Sequence, residues 1–435
     1  MEQPILKQEP YWPLWRKIIF RFFFIFLAFV ITPWEWITDI PGVGFIVGFY
    51  DKLMDWMVDI ANAKLFHVRP VLVPLNGSGD TSYGWAQLWL LLCLAFIGAF
   101  VWTVLDRKSK NYIHLNYWLC LFARYYVALC AFTYGILKIF AMQMYFPNLH
   151  ELATPLGDLL PMRFSWFFIG YSAPYQVFSG VMETIAGLLL LYRRTSTLGV
   201  LFATAVFINV ATLNLSYDIP VKIFSIELVF ICLFLMANES KRILCFFILN
   251  KPADACELYH FRYTKKWMRI ARWVFKIGFI IMAVILPFKS DLQYYKSAHK
   301  APAKQPIKNG MYAVTTFALN KDTLPENGVD SMRWHDLIFE NGGGSILTSD
   351  TAFHHRYNRA YFGYALDSAT HTLGFRKSYN DSLFMIKFRF DEPDTSTIRL
   401  WGKQRNDSLY IVLKRTNRHF QLAEKQFHWL SEYNR

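Results

Sequence analysis

The chain has 435 residues, of which 54% are hydrophobic and 18% aromatic, and its mean hydropathy is +0.21. This composition excludes an ordinary soluble protein and is typical of a polytopic membrane protein with a soluble appendage. The formal net charge is +14. It does not indicate nucleic-acid binding, because the basic residues cluster beside apolar segments and no nucleic-acid motif accompanies them.

Apolar segments predict seven membrane-spanning helices, each close to the ~20 residues that a bilayer requires. The predicted spans are 17–34, 85–105, 116–142, 165–192, 197–215, 220–238 and 270–288. The basic clusters follow the positive-inside rule if the N-terminus is cytoplasmic. We therefore expect a bacterial inner-membrane protein whose residues 289–435 lie in the periplasm.

The first outer loop contains a predicted amphipathic helix over residues 44–66, in which Asp51, Asp55 and Asp59 share one face. Such a helix lies in the membrane interface with its apolar face in lipid. The loop ends at Asp80 and Thr81, and two interpretations stay open there. The turn caps the next helix, or its backbone N–H groups form a nest that binds an anion.

After a predicted linker over 289–309, the sequence changes to short alternating segments separated by turn residues such as Asn341-Gly342. This pattern predicts an antiparallel barrel or sandwich. The predicted strands are Met311–Leu319, Trp334–Phe339, Ser345–Leu347, Tyr361–Leu366, His371–Lys377, Ser382–Phe390, Thr397–Gly402, Ser408–Lys414 and Phe420–Leu422. The strand pattern of the tail, from Leu400 through Trp429, resembles that of lipocalins.

Polar residues interrupt the central spans. Counted at about 1.5 Å per helical residue, Glu183 and Glu227 lie roughly 15 Å and 12 Å deep, and Lys138 lies near the outer end of its span. Ionisable groups in hydrocarbon pair with one another or line a cavity. The remaining candidate ligand-binding residues lie on the same outer half: Asn209, Asn214, Tyr217, Asp218 and Lys222. A structural polar core and a site for a ligand or protons both fit this pattern.

Three motifs within residues 116–238 resemble the DoxX family of small membrane proteins. They are G-x-x-K at Gly135–Lys138, E-x-x-x-G followed by leucines from Glu183 to Leu191, and the basic pair Arg193-Arg194. The resemblance implies a four-helix bundle, and it implies that Lys138 and Glu183 are functional positions. The G-x-x-K helix is also similar to one in a membrane family that contains the vitamin K-dependent carboxylase, in which a lysine acts as a base.

DoxX-like proteins are linked to redox reactions at the membrane with quinone as acceptor. The resemblance therefore implies that a quinone or similar lipid-soluble molecule binds in a polar pocket open to the periplasm. We expect Glu183 and Glu227 to relay protons and Lys138 to balance charge, and we expect no metal. The alternative is a scaffold whose β domain binds an envelope protein or lipid.

The expected domain division is 1–115 for N-terminal spans, 116–238 for the DoxX-like bundle, 239–288 for a basic loop and last span, 289–309 for the linker and 310–435 for the β domain.

Overall fold

The computed structural model describes residues 11–34, 36, 38, 43–76, 79–252, 264–299, 307–326, 332–367, 369–378, 381–404, 406–424, 429 and 432. The chain divides into two compact units. The first, which we call the helical unit, comprises Met1–Met144 and Ser172–Lys296. The second, which we call the barrel unit, comprises Tyr145–Tyr171 and Ser297–Arg435.

The helices, numbered in chain order, have the following bounds. They are α1 Leu14–Ile31, α2 Val43–Ala61, α3 Ser82–Leu105, α4 Ile113–Ile139, α5 Leu149–Leu152, α6 Pro161–Tyr171, α7 Ala173–Leu191, α8 Ser196–Ser216, α9 Lys222–Asn238, α10 Ser240–Ile243, α11 Lys266–Ile280, α12 Leu286–Ala298 and α13 Gln421–Glu424. Short π-helical segments continue three of them, at Asn62–Phe66 after α2, at Leu244–Ile248 after α10 and at Ile281–Ile285 between α11 and α12.

Five helices in the described ranges are long and apolar enough to cross a membrane, which suggests a lipid bilayer environment. They are Ser82–Leu105, Ile113–Ile139, Ala173–Leu191, Ser196–Ser216 and Lys266–Ala298. A sixth span is formed if α9 and the segment Ser240–Ile248, which meet at an angle of 74°, count as one.

The fourth predicted span, 165–192, is divided between two helices. The Oγ of Ser172 accepts a hydrogen bond from the Tyr175 N–H at 3.3 Å and caps α7, and Pro174 occupies its first turn. Both features favour a helix start, since proline fits the first turn and a serine side chain satisfies a free N–H.

The last helix extends through Ala298, into the segment 289–309 for which the sequence predicts a linker. Residues 300–306 of that segment lie outside the described ranges.

Four long helices form a bundle in which α4 contacts α7, α7 contacts α8, α8 contacts α9, and α9 contacts α4. The pair α4 and α7 has the closest backbone approach. A Cβ added to Gly180 would lie 2.5 Å from the carbonyl oxygen of Gly135, and one added to Gly135 would lie 2.6 Å from Oγ1 of Thr184. Glycine at both positions therefore permits the contact, as is common between membrane helices.

The first helix is fixed to the α3–α4 loop by a buried arginine. Arg21 is 1% exposed, and its Nε and Nη1 donate to Tyr112 Oη at 2.9 Å and Thr103 Oγ1 at 2.8 Å. Hydrogen bonds from Ser109 and Tyr112 also reach the carboxylate of Asp106 and lower its pKa to about 2. These hydrogen bonds link α1 to the end of α3 and to the loop that follows it.

The barrel unit contains β1 Gly310–Leu319, β2 Asp322–Thr323, β3 Asp336–Glu340, β4 Gly343–Leu347, β5 His354–Arg356, β6 Arg359–Asp367, β7 Thr372–Arg376, β8 Phe384–Asp394, β9 Thr397–Gln404 and β10 Asp407–Arg415. Eight of these strands pair antiparallel in the order β1-β3-β4-β6-β7-β8-β9-β10, and β10 pairs with β1 to close a barrel.

Of the two predicted architectures, a barrel or a sandwich, the barrel is confirmed. The ninth predicted strand, Phe420–Leu422, is wrong, because the chain forms the helical turn α13 there.

Aromatic side chains fill the barrel interior. Trp334, Phe339, Phe375 and Phe388 are fully buried, and the Trp334 and Phe375 rings stack with centroids 6.1 Å apart. The predicted turn between β3 and β4 is a tight hairpin in which Asn341 and Gly342 have φ of 46° and 86°. Asparagine and glycine tolerate this left-handed backbone, so the local sequence sets the register of the hairpin.

The segment 145–171 packs on the barrel through polar contacts. The backbone N–H of Leu149 donates to both carboxylate oxygens of Glu340 at 3.1 and 3.0 Å, and Nδ1 of His150 lies 3.1 Å from Oε2 of the same residue. Arg163 Nε donates to Tyr357 Oη at 3.0 Å. These bonds hold a chain segment that the sequence assigned to a loop and a membrane span.

Candidate functional site

A buried ion pair joins α4 and α7. The Nζ of Lys138 donates to Oε1 of Glu183, and the two side chains are 8% and 1% exposed. The other carboxylate oxygen, Oε2 of Glu183, is buried and has no hydrogen-bond partner among the described residues. The ring centroid of Tyr134 lies 6.0 Å from the ammonium nitrogen. The pair thus combines an unused acceptor with a neighbouring aromatic ring.

The two charged residues meet because each follows a glycine of the α4–α7 contact by three positions. Gly135 precedes Lys138, and Gly180 precedes Glu183. Residues three apart lie on the same face of a helix. The close backbone approach therefore brings both side chains to the interface, and the carbon stem of Lys138 packs where a side chain at position 180 would stand.

Glu227 and Asn209 do not join this pair. Glu227, in the second turn of α9, is half-buried and makes no hydrogen bond or ion pair with any residue in the described ranges. Asn209 is exposed on α8. Both residues lie on helices that are apolar on all sides, so the depth at which they occur does not fix the direction in which they face.

The other predicted residues lie at the turn between α8 and α9. Lys222 Nζ is 2.6 Å from Oδ1 of Asp218 and 3.6 Å from Oδ2 of Asp80. Asn214 is buried in the last turn of α8, and Tyr217 follows that helix directly. These residues form a polar turn at the end of the bundle.

Asp80 has a role that the sequence did not predict. Its carboxylate accepts hydrogen bonds from the backbone N–H groups of Lys222 and Ile223, at 2.8 and 3.0 Å, at the start of α9. A carboxylate at a helix N-terminus satisfies free donors and interacts favourably with the helix dipole. The cap of α3 is instead Thr81, whose Oγ1 accepts from the Gly84 N–H at 3.2 Å. The capping interpretation of this turn is confirmed for Thr81.

A second polar site is a cleft on the barrel with a volume of about 710 Å³. Its lining carries imidazole, hydroxyl and amide groups, with a single leucine. The lining residues are His335, Leu347, Thr348, Ser349, Thr351, His355 and Asn358. His355 is oriented by a 2.6 Å contact between its Nε2 and the carbonyl oxygen of Asp350.

The signal for this cleft in the sequence was the hydroxyl-rich run 348–351, with two histidines following after Ala352 and Phe353. Within the described ranges, no group of three or more His, Cys, Asp or Glu side chains is placed to hold a metal ion. The groups at both sites suit hydrogen bonding to an organic molecule.

The chain is similar to the uncharacterized protein YwoB of Bacillus subtilis. The two are 31% identical over 134 residues, which make up 30% of this chain and 83% of the relative. No protein-family model matches the chain, and no solved structure matches it.

Proposed function

This chain belongs to the family of the Bacillus subtilis protein YwoB, and we propose that it is a DoxX-like redox protein of a bacterial inner membrane. In this proposal the helical unit binds a quinone or similar lipid-soluble molecule beside Lys138 and Glu183. The observation that carries the proposal is their buried ion pair, in which Glu183 Oε2 lacks a partner. Membrane helices rarely retain such charges without using them.

The chemistry of the pair suits a quinone headgroup. Glu183 Oε2 can accept a hydrogen bond from a quinol hydroxyl, and the Lys138 ammonium can donate to a quinone carbonyl. The ring of Tyr134 offers a face on which a flat headgroup can stack. Glu183 would exchange a single proton with a bound headgroup, and the Lys138 ammonium would balance the charge of the carboxylate.

Glu227 has a secondary role in this proposal. It makes no contact with the pair, so a relay from Glu183 to Glu227 requires the ligand or water between them. Such a relay would lead to the polar turn at the end of the bundle, which contains Asn214, Tyr217, Asp218 and Lys222. Asn209 is exposed and would contact the ligand from the lipid side. We place this end toward the periplasm, because the basic clusters gather at the opposite end.

The test measures the binding of a short-chain quinone to the purified full-length protein. Quenching of tryptophan fluorescence reports the binding. Glu183→Gln keeps the size of the side chain but removes its charge, and we expect it to weaken binding at least tenfold. Lys138→Ala should weaken binding as well. Thr212→Ala, on an exposed position of α8, is the matched control and should bind as the wild type does. Unchanged binding and turnover in both site variants would refute the proposal.

A second function is supported by the barrel cleft. A membrane-anchored scaffold would use this cleft to bind an envelope protein or a polar lipid headgroup outside the membrane. Neutral hydrogen-bonding groups dominate the lining, which suits peptide amides or sugar hydroxyls better than an apolar chain. His355→Ala should abolish capture of such a partner and leave quinone binding intact. The reverse result, in which only quinone binding is lost, would exclude the cleft as the partner site.

A further inference from the structure

An arginine within the bundle has donors that the protein does not use. Arg124 lies on α4, about 17 Å from the start of that helix at 1.5 Å per residue. Its Nε is buried without a hydrogen-bond partner. Its guanidinium carbon lies 5.7 Å from the centroid of the Tyr125 ring. No carboxylate bonds to it there.

The surroundings of Arg124 are basic. Arg193 follows Tyr192, the C-cap residue of α7. The Tyr125 ring packs edge-on against Phe279 of α11 with centroids 4.8 Å apart, and one turn earlier Lys276 lies 5.9 Å from the ring of Tyr192. Three elements, α4, the end of α7 and α11, therefore bring cations to one level of the helical unit.

Glu239 is an acidic residue at this end of the bundle. Glu239 bonds to Arg242 with an Oε2–Nη1 distance of 2.7 Å. Neither Arg124 nor Lys276 forms an ion pair or hydrogen bond within the described part of the chain. A buried cation without a counter-charge is costly, and a second cation beside it increases the cost. An anion bound between them removes both penalties.

We propose that Arg124, Arg193 and Lys276 form a binding site for a phosphate group, supplied by an anionic phospholipid. Guanidinium groups present several donors in a plane that matches phosphate oxygens. The lipid source is favoured because α11 presents an apolar surface beside the cations. Trp273, Phe275 and Ile277 are 63%, 77% and 52% exposed, which places a surface for acyl chains next to a site for the headgroup.

The experiment is native mass spectrometry of the full-length protein in mild detergent, titrated with phosphatidylglycerol or with phosphatidylcholine. We expect at least a tenfold preference for phosphatidylglycerol in the wild type. Arg124→Gln should abolish the preference, because it removes the guanidinium charge. Lys266→Gln changes an exposed lysine of the same helix and should alter binding less than twofold. Arg193→Gln provides a second test if Arg124→Gln fails to fold.

Two outcomes would overturn the proposal. The first is an equal loss of binding in Arg124→Gln and Lys266→Gln, which would show that only the total charge matters. The second is the absence of any preference between the two lipids.

A further arm of the experiment adds millimolar inorganic phosphate to the protein with its bound lipid. Retention of the lipid supports the lipid source, whereas displacement would assign the site to soluble phosphate and refute the lipid assignment.

Discussion

Removing one partner of the Lys138–Glu183 pair tests how strongly the bundle depends on it. In Lys138→Met, a side chain of similar length leaves Glu183 buried without a counter-charge. Breaking a buried ion pair by removal of one partner costs about 3–5 kcal/mol. Glu183 is 1% exposed, so bulk solvent does not hydrate the carboxylate that is left behind. We expect the free energy of unfolding to fall by an amount within that range.

The double variant Lys138→Met/Glu183→Leu should recover most of this loss. Replacing a buried ion pair by apolar residues of similar volume is often neutral, or stabilising by about 1–4 kcal/mol. The two single variants and the double variant form a thermodynamic cycle that measures the coupling directly. Unfolding would be followed by circular dichroism as the mole fraction of denaturing detergent increases.

The matched control is Lys222→Met. Lys222 also forms ion pairs, but Asp218 is 81% exposed, and exposed pairs contribute about 0–1 kcal/mol. Its second partner, Asp80, keeps two hydrogen bonds from backbone N–H groups at the start of α9 when the ammonium is removed. The reasoning fails if Lys138→Met costs no more than Lys222→Met, or if the double variant is as unstable as the sum of the two single variants. The cycle also separates structure from function, because a double variant that folds but no longer binds quinone retains the scaffold without the site.

Three further predictions concern packing and pH. Gly180→Ala places a Cβ 2.5 Å from a backbone carbonyl of α4 and should destabilise the protein by about 1–3 kcal/mol, whereas Gly48→Ala meets no atom within 4 Å and should not destabilise it. Thermal unfolding would compare the two. Hydroxyl donors lower the pKa of Asp106 from 3.8 to about 2, so its contribution to stability is complete above about pH 4 and is lost as the pH falls through 2. The difference in melting temperature between wild type and Asp106→Asn should shrink over that window, and a constant difference would contradict the assignment. Trp334→Ala should cost about 3–5 kcal/mol in the barrel, and near-UV circular dichroism should show the loss against Trp429→Ala, whose side chain is 92% exposed.

The sequence predicted the architecture where a local pattern repeats over many residues. Apolar runs located α3, α4, α8 and α9 to within a few residues, because length and composition decide which segments can enter a bilayer. Alternation of apolar and polar residues located the eight barrel strands, since side chains of a strand point to opposite faces in turn. The hairpin at Asn341-Gly342 was predictable from two residues alone.

The division of the fourth predicted span was harder to see. Residues 165–192 are apolar almost throughout, and the break at Ser172 depends on a single cap and the proline that follows it. Composition averaged over a window does not register such a feature. The tight packing of residues 145–171 on the barrel also required tertiary structure, because Glu340, which accepts the bond from Leu149, is 191 residues away.

The sequence by itself determined that charged residues lie within apolar helices, and it determined their position along each helix, because that position follows from counting residues. Only the tertiary structure decided which of them meet. Lys138 and Glu183 pair because glycines at positions 135 and 180 let two helices approach, whereas Glu227 lies apart from them. The direction in which a side chain faces on a uniformly apolar helix is set by the neighbouring helices, and no periodicity in the sequence records it.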